Sequence, residues 1–241
     1  MRVVEKMTPP TPETIQGILP INKEEKVPSF RLVTILRKLT KVRKIGHAGT
    51  LDPLASGVMI LLIGRNFTKK SSFFLNQDKE YLAKICLGMT TSTSDLEGKV
   101  LTQSNHVPSP DSIEQALTFF QGECAQIPPM FSAKKVGGEK LYLLARKGIE
   151  IERKAALVHL KTTLIAYSYP YVDLHVQCSA GTYIRSLAFD LGEKLGCGGF
   201  LYSLKRTRVG RYTIEDCTEQ KELFDPNFSI QHRIQSDVHC S

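Results

Sequence analysis

The chain is 241 residues long and carries a formal charge of +8, a length that suits one large or two small domains able to bury a core unaided. Its longest uninterrupted apolar run, Val58 to Ile63, falls far short of the roughly 18 residues that span a membrane, and Met1 is not followed by the basic and apolar regions of a secretory signal. Cys86, Cys124, Cys178, Cys197, Cys217 and Cys240 are widely separated, without a C-x-x-C. Neither a zinc site nor a disulfide framework is expected, and cytoplasmic, reduced thiols are.

Residues 1–16 are polar and contain Pro9 and Pro10, the make-up of a loose arm. Ser29 after Pro28 reads as a helix N-cap, and Leu32, Ile35, Leu36 and Leu39 follow at i, i+3, i+4 and i+7. Residues 45–57 carry Gly46, Gly49, Pro53 and Gly57 and read as loop. Val58 to Ile63 reads as a buried strand, with helical residues from Thr68 to Leu75. Tyr81, Ala83, Ile85 and Leu87 alternate along a second strand, and Lys99 to Thr102 can return as its partner. Asp111 or Ser112 caps a helix with the stripe Ile113, Ala116, Leu117 and Phe120, stopped by Gly122.

An irregular segment from Pro128-Pro129 through Gly137-Gly138 leads to a short helix near Lys140 to Arg146. Two strands, 156–169 and 171–179, join at Pro170. A helix after Gly181 turns Ile184, Leu187, Ala188, Leu191 and Leu195 inward, and strands over 200–209 and 211–214 finish the sheet. No internal repeat or clear linker interrupts the pattern. Strands and helices mix without a regular β-α-β alternation, so the fold class is α+β with a mixed, largely antiparallel sheet.

The positive charge is clustered. No acid lies between Lys26 and Leu51, where Arg31, Arg37, Lys38, Lys41, Arg43 and Lys44 fall mainly off the helix stripe, and Lys205, Arg206, Arg208 and Arg211 form a second group. Polyphosphate suits such surfaces. Charge alone does not separate DNA, RNA and anionic lipid, nor any of them from a solvated basic face.

The most unusual stretch is Gly46-His47-Ala48-Gly49-Thr50-Leu51-Asp52-Pro53-Leu54-Ala55-Ser56-Gly57. It lacks the endings of a P-loop or a dinucleotide site, and on spacing alone Asp52 reads as closing an Asx-turn. Continued through Val58 to Gly64, however, the stretch closely resembles the signature of the bacterial tRNA pseudouridine synthase B family, the tRNA pseudouridine-55 synthases. Further matches follow in the same order: Lys79-Glu80-Tyr81 with Leu87-Gly88 and Thr91 to Asp95; Gln126 to Pro129 with Phe131 to Ala133, Tyr142 and Ala145 to Gly148; Ser179 to Leu187 with Asp190 to Gly192; and Leu204 to Gly210. The first block departs from the family pattern. Lys23 is present, but Glu24-Glu25-Lys26-Val27-Pro28 replaces the usual Pro and Gly before serines. The local turn must therefore differ.

The resemblance implies a pseudouridine synthase-like catalytic domain over residues 17–217 with a central RNA-binding cleft, in which segment 128–148 is mobile and clamps RNA. Many relatives carry a C-terminal PUA domain, for which the tail 218–241 leaves no room. The implied reaction turns the T-loop uridine at position 55 of tRNA into pseudouridine after base flipping, with no metal or cofactor. The implied catalytic residues are Asp52, Arg185 as the charge that keeps it ionised, and Tyr81, which can stack on the extruded base. His47, Tyr183, Leu204, Lys23, Lys205 and Arg206 are the implied substrate and RNA contacts. The expected partner is the T-stem and T-loop of tRNA, bound by a monomer without guide RNA or membrane. The alternative is a non-catalytic tRNA-binding or tRNA-folding module with the same basic surface.

Overall fold

A computed structural model describes residues 15–236; apart from Ile15 and Gln16, the arm expected over 1–16 lies outside the described residues. The chain divides into two compact units. Among the described residues, the first comprises 15–53, 57–75 and 212–236, and the second 54–56 and 76–211.

The first unit begins with β1 (Gly17–Lys23), α1 (Ser29–Thr40), β2 (Ile45–Ala48) and β3 (Ala55–Ile63), followed by the short helices α2 (Arg65–Thr68) and α3 (Ser71–Leu75). β1 runs antiparallel to β3 from Gly17 opposite Ile63 to Lys23 opposite Gly57. β2 pairs with the far end of β3, from Ile45 opposite Ile63 to Ala48 opposite Ile60. A short strand at Thr218–Glu219 lies parallel to β1. The apolar run Val58 to Ile63 is wholly buried, as a strand covered on both faces must be. Leu19, Ile21, Ile45, Met59, Leu61 and Ile63 form one core with Leu32, Val33 and Leu36 of α1.

Two expectations need correction here. Residues 45–57 are not all loop: Ile45–Ala48 is a strand, and β3 starts at Ala55. The short β2 gives no alternating signal because it is held by the apolar row of β3. The buried face of α1 is also rotated, with Leu32, Val33, Leu36 and Thr40 inward and Leu39 exposed.

The second unit contains β4 (Lys79–Leu87), β5 (Met89–Thr91), β6 (Val100–Gln103), α4 (Pro110–Leu117), β7 (Gln121–Gln126), β8 (Lys135–Val136), β9 (Glu139–Lys140), α5 (Leu141–Arg146), β10 (Ala156–Ser168), β11 (Tyr171–Cys178), α6 (Ile184–Lys194) and β12 (Gly199–Val209). Its main sheet has the order β12-β4-β11-β10-β7, every pair antiparallel. The cap of α4 is Ser109, whose hydroxyl accepts the Ser112 N–H at 3.2 Å, with Pro110 opening the helix. The helix stops at Leu117, so Phe120 lies in a 3-10 turn and the chain enters β7, a strand the sequence pattern did not announce. α6 packs closely on β12 through glycine. A Cβ on Gly192 would sit 2.1 Å from the Gly199 nitrogen, so no larger residue fits.

Alternation sorts the sheet of this unit into two faces. Lys79, Tyr81, Ala83 and Ile85 of β4 are buried, whereas Leu82 is exposed and Glu80 and Lys84 are half-buried. On the outer face the Glu80 carboxylate accepts from Arg208 Nε at 2.8 Å and Gln177 Nε2 at 3.0 Å, and lies 3.1 Å from His175 Nε2. Burial pushes its proton affinity up, but these hydrogen bonds and the Arg208 charge outweigh it and hold the carboxyl below its ordinary value.

Candidate active site

In the first unit, Asp52 hangs from the connection between β2 and β3, which leaves β2 through Gly49 at φ 92°. The backbone is fixed on both sides of it. The Ser29 hydroxyl donates to the Leu51 carbonyl at 2.7 Å and accepts the Leu51 N–H at 3.0 Å. The Pro53 carbonyl accepts the Lys26 N–H at 2.7 Å and Lys23 Nζ at 3.5 Å. Asp52 is half-buried, as is His47, which sits in β2 opposite Leu61. Lys23, expected among the RNA contacts, is fully buried, and its ammonium also donates to the carbonyls of Glu24 at 2.9 Å and Val27 at 2.8 Å. Its observed contacts hold the loop.

In the second unit, β4 and β12 bring three of the expected residues onto one face. Tyr81 lies opposite Arg206, and Leu204 lies opposite Ala83. All three are buried, Arg206 most deeply at 2% exposure. Register shifts between Leu201 and Ser203 and between Arg206 and Arg208 turn the neighbouring side chains. Lys205, opposite Leu82 in the regular stretch between the two shifts, alternates with its neighbours and is exposed on the other face. Tyr183 ends the turn into α6. Its N–H donates to Gln126 Oε1 at 2.7 Å, and its carbonyl accepts from Gln126 Nε2 at 3.0 Å.

Arg185, in the first turn of α6, is 6% exposed. Its Nη2 donates to the Phe131 carbonyl at 2.7 Å, and Nη1 lies 3.4 Å from the Thr93 carbonyl and 3.6 Å from Asp95 Oδ2. Asp95 is itself buried, accepting from the Thr93 hydroxyl and the Glu97 N–H. This second carboxylate was not singled out as a site residue from sequence. Its signal was the polar run Thr91 to Asp95, which otherwise reads as a turn.

Beside Arg185 lies a cavity of about 460 Å³ whose lining includes Thr93, Phe131, Ile149, Arg153, Phe189 and Asp190. Burial, with the nearby Glu193 charge, pushes the Asp190 carboxyl up to about 6. On the Tyr81 face, burial and then the Arg206 charge pull Lys79 down to about 8, against the opposing influence of Cys178 and Asp78. Among the described residues no group of His, Cys, Asp or Glu is arranged to hold a metal ion, and no helix is long and apolar enough to cross a membrane.

Residues 37–184 match the family model described as TruB family pseudouridylate synthase (N terminal domain). The chain belongs to this family. Residues 185–236 match the tRNA pseudouridylate synthase B C-terminal domain of the same family. The chain is 50% identical over 226 residues to the tRNA pseudouridine synthase B of Protochlamydia amoebophila, an alignment covering 94% of this chain and 86% of the relative. It is 41% identical over 215 residues to the corresponding protein of Clostridium tetani, covering 88% and 74%. Among solved structures, it superposes on a chain of a Cbf5-Nop10-Gar1 complex with a TM-score of 0.69 at 26% identity, covering 91% of this chain and 57% of that one. The first match spans the Asp52 loop and Tyr81, the second begins at Arg185, and the mixed α+β fold is the pseudouridine synthase fold.

Proposed function

We propose that this protein is a tRNA pseudouridine synthase that isomerises the T-loop uridine at position 55, acting as a monomer in the cytoplasm without a guide RNA. The observation that carries the reading is Asp52, half-buried on a loop fixed at both neighbouring residues and lying within the TruB match over residues 37–184. In the reaction the bond from uracil N1 to the ribose C1′ breaks, the base turns, and a bond forms from C5 to C1′. The C5 proton is released to solvent and N1 regains one, so nothing is oxidised or hydrolysed.

Asp52 supplies the carboxylate that attacks or stabilises developing positive charge. Arg185 supplies the opposite charge that keeps a carboxylate ionised in a dry site. Tyr81 offers an aromatic face to the extruded base, with Leu204 as apolar wall and Tyr183 at its edge. His47 packs where the base leaves its loop. Lys205, with the exposed basic residues Arg31, Arg37, Lys38, Lys41, Arg43 and Lys44, takes the RNA backbone. Segment 128–148, a small hairpin and α5, closes over bound RNA.

The test is an unmodified tRNA transcript carrying tritium at uridine C5 as the sole RNA, with the product nucleotide mapped. One tritium released per tRNA and pseudouridine at position 55 is the expected result. Binding without release would identify a tRNA-binding module instead. Modification elsewhere, or only with a second RNA present, would contradict the assigned target.

A further inference from the structure

We propose that Ser29, with the backbone of the turn before it, is a positioning device for Asp52. This rests on the reading of Asp52 as the reacting carboxylate.

Ser29 is the first residue of α1 and is 5% exposed. A serine there would ordinarily cap the helix. The N-cap is instead Pro28, which has no side-chain hydrogen bond, and the first turn of α1 contains no acid. The Ser29 hydroxyl is committed to Leu51, donating to its carbonyl and accepting its N–H. Leu51 is 3% exposed, so without Ser29 both polar groups would be left in a dry environment. These two bonds fix the backbone just before Asp52.

The other side is held by the preceding turn. Lys26 adopts the left-handed conformation at φ 63°, and its N–H bonds the Pro53 carbonyl, which also receives Lys23 Nζ. Positive φ is uncommon for a residue other than glycine. The turn is where Glu24 to Pro28 depart from the family pattern. Its hold on Pro53 is nevertheless a backbone donor, so the side chain of Lys26 takes no part in it. A carboxylate on a two-bond stem inherits the precision of the backbone on either side of it, and a displacement near 1 Å in a reacting group lowers turnover about 100-fold.

Ser29→Ala, Ser29→Thr and Asp52→Asn are compared in steady-state tritium release from tRNA, with tRNA affinity measured separately. Ser29→Ala is expected to lower kcat roughly 10- to 100-fold with KM nearly unchanged. Ser29→Thr, which keeps the hydroxyl, restores most of the rate, and Asp52→Asn is inactive. A merely structural serine would reduce the fraction of active protein and leave kcat per active site unchanged.

Wild-type kcat in Ser29→Ala beside an inactive Asp52→Asn overturns the positioning role alone. Turnover by Asp52→Asn overturns the reading of the carboxylate, and this inference with it. If Ser29→Ala does not fold, Ser29→Cys carries the test, because its sulfur is a weaker donor and acceptor. A lower kcat at constant KM then supports the role, and an unchanged kcat overturns it.

Discussion

Asp190 gives a pH-dependent test of the second unit. It sits in α6 at the wall of the cavity, and burial first, then the charge of Glu193 one turn on, raises its carboxyl from 3.8 to about 6. The folded state therefore keeps a proton over a range in which the unfolded chain has already lost it. Stability from this group is present below about pH 4 and is lost as pH rises towards 6. With each tenfold change in proton affinity equal to about 1.4 kcal/mol, an ionised Asp190 costs the folded state about 3 kcal/mol above pH 6.

Asp190→Asn removes the charge while keeping nearly the same shape. Its stability relative to wild type should improve by about 2 kcal/mol between about pH 4.5 and pH 8, or about 4–8 °C in Tm for a chain of this size. Urea unfolding of both proteins at the two pH values measures it. An equal difference at both would refute the argument that desolvation governs this carboxyl.

Lys79 should behave in the opposite sense to Asp190. Its ammonium is lowered to about 8, so the folded state releases the proton before the unfolded chain does, and stability rises with pH from about 8 towards 10.5. Lys79→Met should lack that rise, by about 2–3 kcal/mol at pH 10; parallel pH curves in urea would contradict it. For segment 128–148, amide exchange in the free protein should be faster than in the strands of the main sheet and should slow on addition of tRNA. Identical exchange with and without tRNA would remove its clamping role.

The fold was legible where chemistry alternates or accumulates. Tyr81, Ala83 and Ile85 announced β4, and Val58 to Ile63 announced β3, because burial on one or both faces leaves a direct imprint on composition. Ile45–Ala48 and Gln121–Gln126 left no such imprint. Each is short and takes its conformation from a longer neighbour, β3 and β10 respectively. Leu39 was misassigned because an amphipathic pattern does not specify which of two adjacent faces meets the core.

At the candidate site, Asp52, Tyr81 and Arg185 stand out from the sequence only through resemblance, since a single acid among glycines has several physical meanings. Alternation along β12 implies that Arg206 and Lys205 point to opposite faces, but not which of them meets the buried one, which the pairing of Arg206 with Tyr81 decides. Nor could the sequence assign the Ser29 hydroxyl. A serine before an apolar stripe signals a helix cap, and only the tertiary fold reveals that its partner is Leu51. Asp95 was hidden in the same way, its meaning set by Arg185, ninety positions away.

Tritium release from C5-labelled tRNA by Asp52→Asn, measured alongside its tRNA affinity, decides whether the chemistry runs through this carboxylate. No release with affinity close to wild type is expected, because binding dominated by phosphate contacts would not depend on that carboxylate. Release at an appreciable fraction of the wild-type rate would show that the chemistry does not run through Asp52.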